Sequence, residues 1–218
     1  MSHAQGDPRQ EVVVTARALD AAGLMPNKSG NVSCRSAGGF LVTASGVPYA
    51  QLAPEQVVQL PLPAAGEPET GPRPSSEWRM HAAIYAARPD AAAIVHTHSP
   101  RATALACAGR DLPAFHYMIA LAGGAVRCMP YATFGTDALA RYAVDGLAGR
   151  RAVLLANHGV VTVGTTLQRA QAVAVEVENM AGQYLDLLAA GLAPRLLDEE
   201  ELRRVIAKFE DYGRLGAG

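Results

Sequence analysis

Apolar and polar positions along this chain repeat with two periods, one helical and one strand-like, and the two alternate. Residues from Arg9 to Ala22 follow the helical period, and Gly23 stands where a left-handed C-terminal cap is needed. After the loop MPNKSGN, the runs NVSCRS and FLVTAS read as strands joined at Gly38-Gly39, and QVVQLPL reads as a third. The Pro- and Gly-rich stretch PAAGEPETGPRP is a surface loop leading into EWRMHAAIYAA, an Ala-rich helix. Ser75 or Ser76 is placed to cap that helix, and Arg88-Pro89-Asp90 stops it, because proline cannot continue a helix. AAAIVHTHS is then a short buried strand ending in His-Thr-His.

Beyond it, Ser99-Pro100 supplies a cap and an N1 proline for the helix RATALACA, which ends at Gly109. FHYMIALAGGAVRCMPYATFGT has poor periodicity and clusters Phe115, Tyr117, Tyr131 and Phe134, the mark of a partly buried irregular connection or of a subunit contact. Thr136 or Asp137 opens a helix running to about Ala148. RAVLLANHGVVTVG reads as strand, turn, strand, with Asn157-His158-Gly159 at the turn. Thr165 and Gln168 have capping-box spacing at the start of a long helix to about Ala190. A last helix, DEEELRRVIAKFEDYG, carries acidic residues in its first turn and ends at Gly213. Some neighbouring strands are joined by tight turns, so a mixed sheet covered by helices on both faces is expected. No internal repeat or break in composition divides residues 1–218, which are read as a single domain.

Composition narrows the function classes. Half the residues are hydrophobic but only 6% are aromatic, so the core is built mainly from Ala, Val and Leu. A net charge of −1 gives no support for binding nucleic acid or an anionic membrane. No apolar run approaches a transmembrane span, and MSHAQGDPRQE lacks a signal-peptide pattern. Three cysteines, Cys34, Cys107 and Cys128, show no CxxC spacing, which predicts a reduced, cytoplasmic setting with the thiols as small core residues.

The chemistry gathers around the histidines. Strand side chains alternate, so His96 and His98 point to the same side. Alone, the pair suits hydrogen-bonded histidines as well as half a metal site. His158, beside a glycine directly after an apolar strand, adds a third imidazole near a strand end. Three protein ligands with an open position is the catalytic pattern of zinc rather than the structural one. Glu77 is the nearest candidate carboxylate, able to complete the metal shell and then move off as a base. Of the other histidines, His3 lies in the N-terminal tail, His116 is beside Tyr117, and His81 reads as a helix-face or supporting residue. Lys28-Ser29-Gly30-Asn31 and the turn Ser45-Gly46 are ordinary turns that could also bring backbone N–H groups to an anion.

These segments, SGNVS, SGVPY, PSSEWRMH, RPDAAAIVHTH, HYMIALAGG, PYATFGT and NHG, taken in order, resemble the zinc-dependent class II aldolase/adducin family. The likeness runs from the first helix to KFEDYG. HTH with NHG marks the superfamily; PSSEWR and HYMIA with PYATFGT point to its aldolase branch.

The resemblance implies a three-layer α/β/α sandwich with a central mixed, largely antiparallel sheet. It implies one zinc ion per chain held by His96, His98 and His158, with Glu77 as a further ligand. A substrate phosphate would lie among Gly30, Asn31, Ser45, Gly46, Ser75 and Ser76. Lys28 departs from the family, which has a small hydroxyl residue there; either Ser29 substitutes or Lys28 pairs with the phosphate. The implied reaction is reversible cleavage of a ketose 1-phosphate of the L-fuculose 1-phosphate kind. Its products are dihydroxyacetone phosphate and a small aldehyde such as lactaldehyde. Glu77 takes the carbon-bound proton in the condensation direction, and Tyr117 resembles a tyrosine reaching in from a neighbouring subunit to handle the aldehyde-side proton. Phe134 and Tyr212 resemble residues walling the aldehyde pocket. The family's aldolases are homotetramers with sites between subunits. Rival readings are a pentulose-phosphate 4-epimerase, whose relatives carry Asp at the place of Glu77, a sugar-phosphate dehydratase, and a non-catalytic adducin-like module.

Overall fold

The computed structural model describes residues 6–63 and 66–215, with side chains to residue 209. Seven strands form one sheet in the order β3-β2-β1-β4-β7-β6-β5. They are β1 (Asn31–Ser36), β2 (Gly39–Thr43), β3 (Val57–Pro61), β4 (Ala93–Thr97), β5 (Cys128–Met129), β6 (Ala152–Leu155) and β7 (Gly159–Gly164). Every pairing is antiparallel except the two-residue β5, which runs parallel to β6. Tight turns make the β1–β2 and β6–β7 hairpins, as the glycines at their ends predict. The sheet is therefore mixed and largely antiparallel, with β4 at its centre.

Helices cover both faces, and the period-two alternation of the strands sorts the residues between them. Helices α2 (Trp78–Ala87) and α4 (Asp137–Gly146) pack on the face that receives Phe40, Val42, Ile94, Val153, Leu155, Val161 and Val163. The other face carries α1 (Pro8–Ala21), α3 (Pro100–Cys107) and α5 (Leu167–Ala189). Against them lie Val32, Leu41, Ala93 and Val95 in one cluster, and Ala152, Leu154 and Val160 in a second. Each buried aliphatic side chain contributes about 1.5–3 kcal/mol, so a one-residue slip of β4 would forfeit both cores at once. Along β4, Ile94 and His96 face α2 and α4, while Ala93, Val95 and Thr97 face α1 and α5. That assignment places His96 in the same layer as the start of α2.

Helix ends explain where the sequence reading needs correction. Thr166, not Thr165, caps α5, its hydroxyl accepting from the Arg169 amide at 3.2 Å. Helix α2 begins later than its cap signal suggested: Glu77 holds the N-cap position, and Ser75 Oγ accepts from the Glu77 amide at 3.3 Å. The serine thus turns the chain one step before the helix rather than capping it. The last helix, α6 (Glu199–Leu215), continues through Gly213. The aperiodic connection contains a 3-10 helix at Tyr117–Ala122, closed by Gly123, and then β5. Neither was legible as an element. Among the described residues, no helix is long and apolar enough to cross a membrane.

Candidate metal centre and substrate cavity

The centre forms where β4 ends between its two neighbours. In register, His96 lies opposite Asn31 of β1 on one side and Val161 of β7 on the other. His98 follows one residue past the strand, and His158 sits in the turn from β6 into β7. Two glycines let these backbones close up. A Cβ on Gly159 would stand 2.4 Å from the Thr97 carbonyl oxygen and 3.1 Å from the His98 ring. A Cβ on Gly30 would stand 2.4 Å from the His96 carbonyl oxygen, and Gly30 has φ +83. Any side chain at either place must push a ligand-bearing strand away.

Glu77 enters from the start of α2. One ligand atom from each of Glu77, His96, His98 and His158 lies within 4.8 Å of every other. Glu77 Oε2 is 3.0 Å from His96 Nε2, and Oε1 is 3.2 Å from His158 Nε2. Glu77 Oε1 is nonetheless buried with no hydrogen-bonding partner of adequate geometry. The three imidazoles stand edge-to-face, each pair of ring centroids 4.9 Å apart.

Proton bookkeeping shows what this arrangement suits. His96 Nδ1 faces the Val160 carbonyl at 3.0 Å, and a carbonyl only accepts, so Nδ1 carries the hydrogen. In the neutral ring Nε2 then points a lone pair at the Glu77 carboxylate and at His98 Nε2, 3.1 Å away. Acceptors facing acceptors in a buried place need a proton or a metal cation between them. Burial opposes ionisation of Glu77, but attraction to His96 and contacts with His158 and His96 outweigh it and hold the carboxyl well below its usual range. His96 is also held down by burial, but Glu77 overrides this and raises it. Burial, with His96 and His158 nearby, pushes His98 down to about 3, leaving a neutral ring with a free lone pair. The Val160 carbonyl orients His96 as outer partners of metal-bound histidines do. Three imidazoles and a carboxylate converging in this way fit a divalent metal.

Above the donors opens a cavity of about 320 Å³. Its walls include Gly30, Asn31, Ser45, Gly46, Ser75, Ser76 and Phe134, each named from the sequence as a substrate-contacting candidate. Tyr117 is elsewhere: it stacks on Phe209 of α6, ring planes 6° apart, and is 53% exposed. Tyr212 lies on α6, but its side chain is outside the described residues. Sequence reasoning gave no site role to Tyr49 or to Tyr131, which also line the cavity. Tyr49 donates to the Gly30 carbonyl at 2.6 Å and so braces the loop before β1. The signal for both was present in SGVPY and PYATFGT, but a tyrosine beside proline has many ordinary uses.

Comparison with known proteins agrees with this architecture. Residues 10–185 match the family described as Class II Aldolase and Adducin N-terminal domain. The chain is 46% identical over 206 residues to the 5-methylthioribulose-1-phosphate/5-deoxyribulose-1-phosphate aldolase of Rhodospirillum rubrum, covering 94% of this chain and 92% of the relative. It is 41% identical over 205 residues to the L-fuculose phosphate aldolase of Escherichia coli K12, covering 94% of each. A solved L-fuculose 1-phosphate aldolase superposes with a TM-score of 0.89 at 37% identity, covering 95% of this chain and 98% of that one. Likeness therefore extends through sequence, sheet and helices alike, and the chain belongs to the class II aldolase and adducin family, as an enzyme of its aldolase branch.

Proposed function

We propose that this enzyme is a zinc-dependent aldolase that cleaves a ketose 1-phosphate to dihydroxyacetone phosphate and a small aldehyde. The observation that carries this reading is the joint presence, in one cavity, of the Glu77–histidine donor set and a polar anion-binding wall. His96, His98 and His158, with Glu77, would hold the ion, and this nitrogen- and oxygen-donor set suits zinc. When bound, zinc supplies Lewis-acid stabilisation of the negative charge that builds on the ketone oxygen during cleavage.

The chain's own residues supply the rest. Asn31, Ser75, Ser76 and the turns at Gly30 and Ser45-Gly46 anchor the phosphate. Ser75 Oγ only accepts from the Glu77 amide, so its hydrogen remains free to donate to an anion. Ser29, by contrast, already donates its hydroxyl to the Pro26 carbonyl. Lys28 is the only Lys or Arg on the cavity wall among the described residues, so we assign it to the phosphate. Glu77 moves the proton on the carbon next to the carbonyl. Tyr117, remote from its own chain's cavity wall, serves the cavity of a neighbouring subunit in a homotetramer. The three cysteines are free, and the proposed setting is the cytoplasm.

The relatives' names describe ketose phosphates, and those of the Rhodospirillum rubrum aldolase and of the solved structure specify 1-phosphates. Cleavage between C3 and C4 of each would release an aldehyde ending in a methyl group: lactaldehyde from fuculose, acetaldehyde or its methylthio derivative from the ribuloses. Tyr131, Ala132 and Phe134 give the cavity an apolar flank for such an end. The test is condensation of dihydroxyacetone phosphate with an aldehyde panel, with product analysis. Methyl-terminated aldehydes are expected to outpace glycolaldehyde by about 10–200-fold. An epimerase or dehydratase would leave the carbon skeleton intact, and absence of any carbon–carbon bond formation would overturn the proposal. In the same assay Lys28→Thr should raise KM for dihydroxyacetone phosphate and leave the aldehyde ranking unchanged. An unaltered KM would remove Lys28 from the phosphate site.

A further inference from the structure

Behind the metal centre, three buried polar side chains that the chemistry above leaves unused, Tyr85, Ser33 and His81, connect in a chain through Asn31 to Glu77. Tyr85 Oη is 2.8 Å from Ser33 Oγ, and Ser33 Oγ is 2.6 Å from His81 Nδ1. His81 Nε2 meets Asn31 Oδ1, and Asn31 Nδ2 donates to Glu77 Oε2 at 3.1 Å. Ser33 and His81 are fully buried, Asn31 and Tyr85 are 2% exposed, and Glu77 is 6% exposed.

The direction of every hydrogen bond in this chain is determined. An ionised carboxylate only accepts, so Asn31 must turn its N–H toward Glu77 and its carbonyl oxygen toward His81. That oxygen needs a donor, so His81 carries its hydrogen on Nε2. Burial pushes His81 down to about 3, so the ring is neutral and Nδ1 is bare. Ser33 must then donate to Nδ1, and Ser33 Oγ accepts from the Tyr85 hydroxyl. All donors run one way and end on Glu77.

We propose that Tyr85, Ser33 and His81 form a one-directional hydrogen-bond relay that locks the Asn31 amide, making His81 a positioning residue for the Glu77 carboxylate. This rests on the reading of Glu77 as the base. An unlocked Asn31 could rotate its carbonyl oxygen toward Glu77 and repel the carboxylate. The locked amide also keeps its second N–H for the cavity, because only one of its two hydrogens is used on Glu77. The relay thereby ties the placement of the base to the wall proposed to hold the phosphate.

Two measurements test the relay, one of them independent of catalysis. Nitrogen-15 NMR of histidine-labelled wild-type protein should show His81 as the neutral Nε2–H tautomer at neutral pH. An Nδ1–H tautomer or an imidazolium overturns the relay. The second readout is exchange of the dihydroxyacetone phosphate proton with deuterium from solvent, expressed per bound metal. His81→Phe should slow this exchange by about 10–100-fold, the usual effect of losing an outer partner, with metal content unchanged. His81→Gln, whose amide can still donate to Asn31, should recover most of the rate. Wild-type exchange in His81→Phe, or no recovery in His81→Gln, overturns the positioning role. If the wild-type protein itself exchanges no proton, the proposed function fails, and the tautomer measurement still decides whether the relay exists.

Discussion

The Glu77→Gln protein is expected to keep its metal and to lose deuterium exchange of dihydroxyacetone phosphate by about 10²–10⁴-fold, the range of general acid–base assistance. Three imidazoles remain to hold the ion, and the glutamine oxygen still occupies much of the carboxylate's place. What disappears is the only carboxylate in the donor set, and with it the group able to accept a carbon-bound proton. Metal content of the purified variant serves as the internal control. Exchange near the wild-type rate would place the base elsewhere. The same variant tests assembly. Tyr117 stacks on Phe209 and stands apart from the cavity of its own chain. Subunits carrying Tyr117→Phe should therefore complement Glu77→Gln subunits, because a hybrid contains some sites with both groups intact. No recovered cleavage, in mixtures shown to exchange subunits, would take Tyr117 out of the neighbour's site.

Loss of one imidazole should act more severely on the metal than on the fold, and unequally at the two ends of the donor set. His96→Ala and His158→Ala are each expected to lower metal affinity by more than about 100-fold, since even outer partners of a metal are worth 10–100-fold. Metal analysis after dialysis measures this, and undiminished stoichiometry in both variants would sink the donor assignment. Thermal unfolding of the metal-free forms should then separate them. His96 is fully buried and donates to the Val160 carbonyl, so its removal also deletes a buried hydrogen bond, worth about 0.5–1.5 kcal/mol. His158 sits in a turn, and among the described residues its ring makes no such hydrogen bond to a backbone carbonyl. Equal destabilisation of the two would contradict the hydrogen bond assigned to His96 Nδ1.

The structure shows why parts of this site could be read from the sequence and others could not. The alternation of β4 is a local property, so the common orientation of His96 and His98 follows from two residues and a strand period. The placing of His158 after an apolar run is equally local. The positions of Ser33 and His81 are not: they are 48 residues apart and meet only because β1 pairs with β4 and α2 lies over that face. His81 is four residues after Glu77, which suggested a shared helix face, but nothing local reveals that it is sealed from solvent. The β5 strand is two residues long and owes its existence to β6, so no periodicity could announce it. At the cap of α5, Thr165 and Thr166 are chemically equivalent, and the backbone path alone chooses between them.

The position of β4 between β1 and β7 sets the order in which a newly made chain assembles the donors of the proposed metal centre. Strand β1 and the Glu77 region leave the ribosome early, and His96 and His98 follow, but β7 brings His158 from the other side of the centre only after a further 60 residues. Antiparallel closure across that span is a long-range event, late in folding and slow relative to helix formation. A nascent chain ending before β7 therefore carries an incomplete chelate with an exposed strand edge beside it. On the proposed metal reading, the complete donor set exists only once the β6–β7 hairpin has docked, so full-affinity binding is expected to follow that docking.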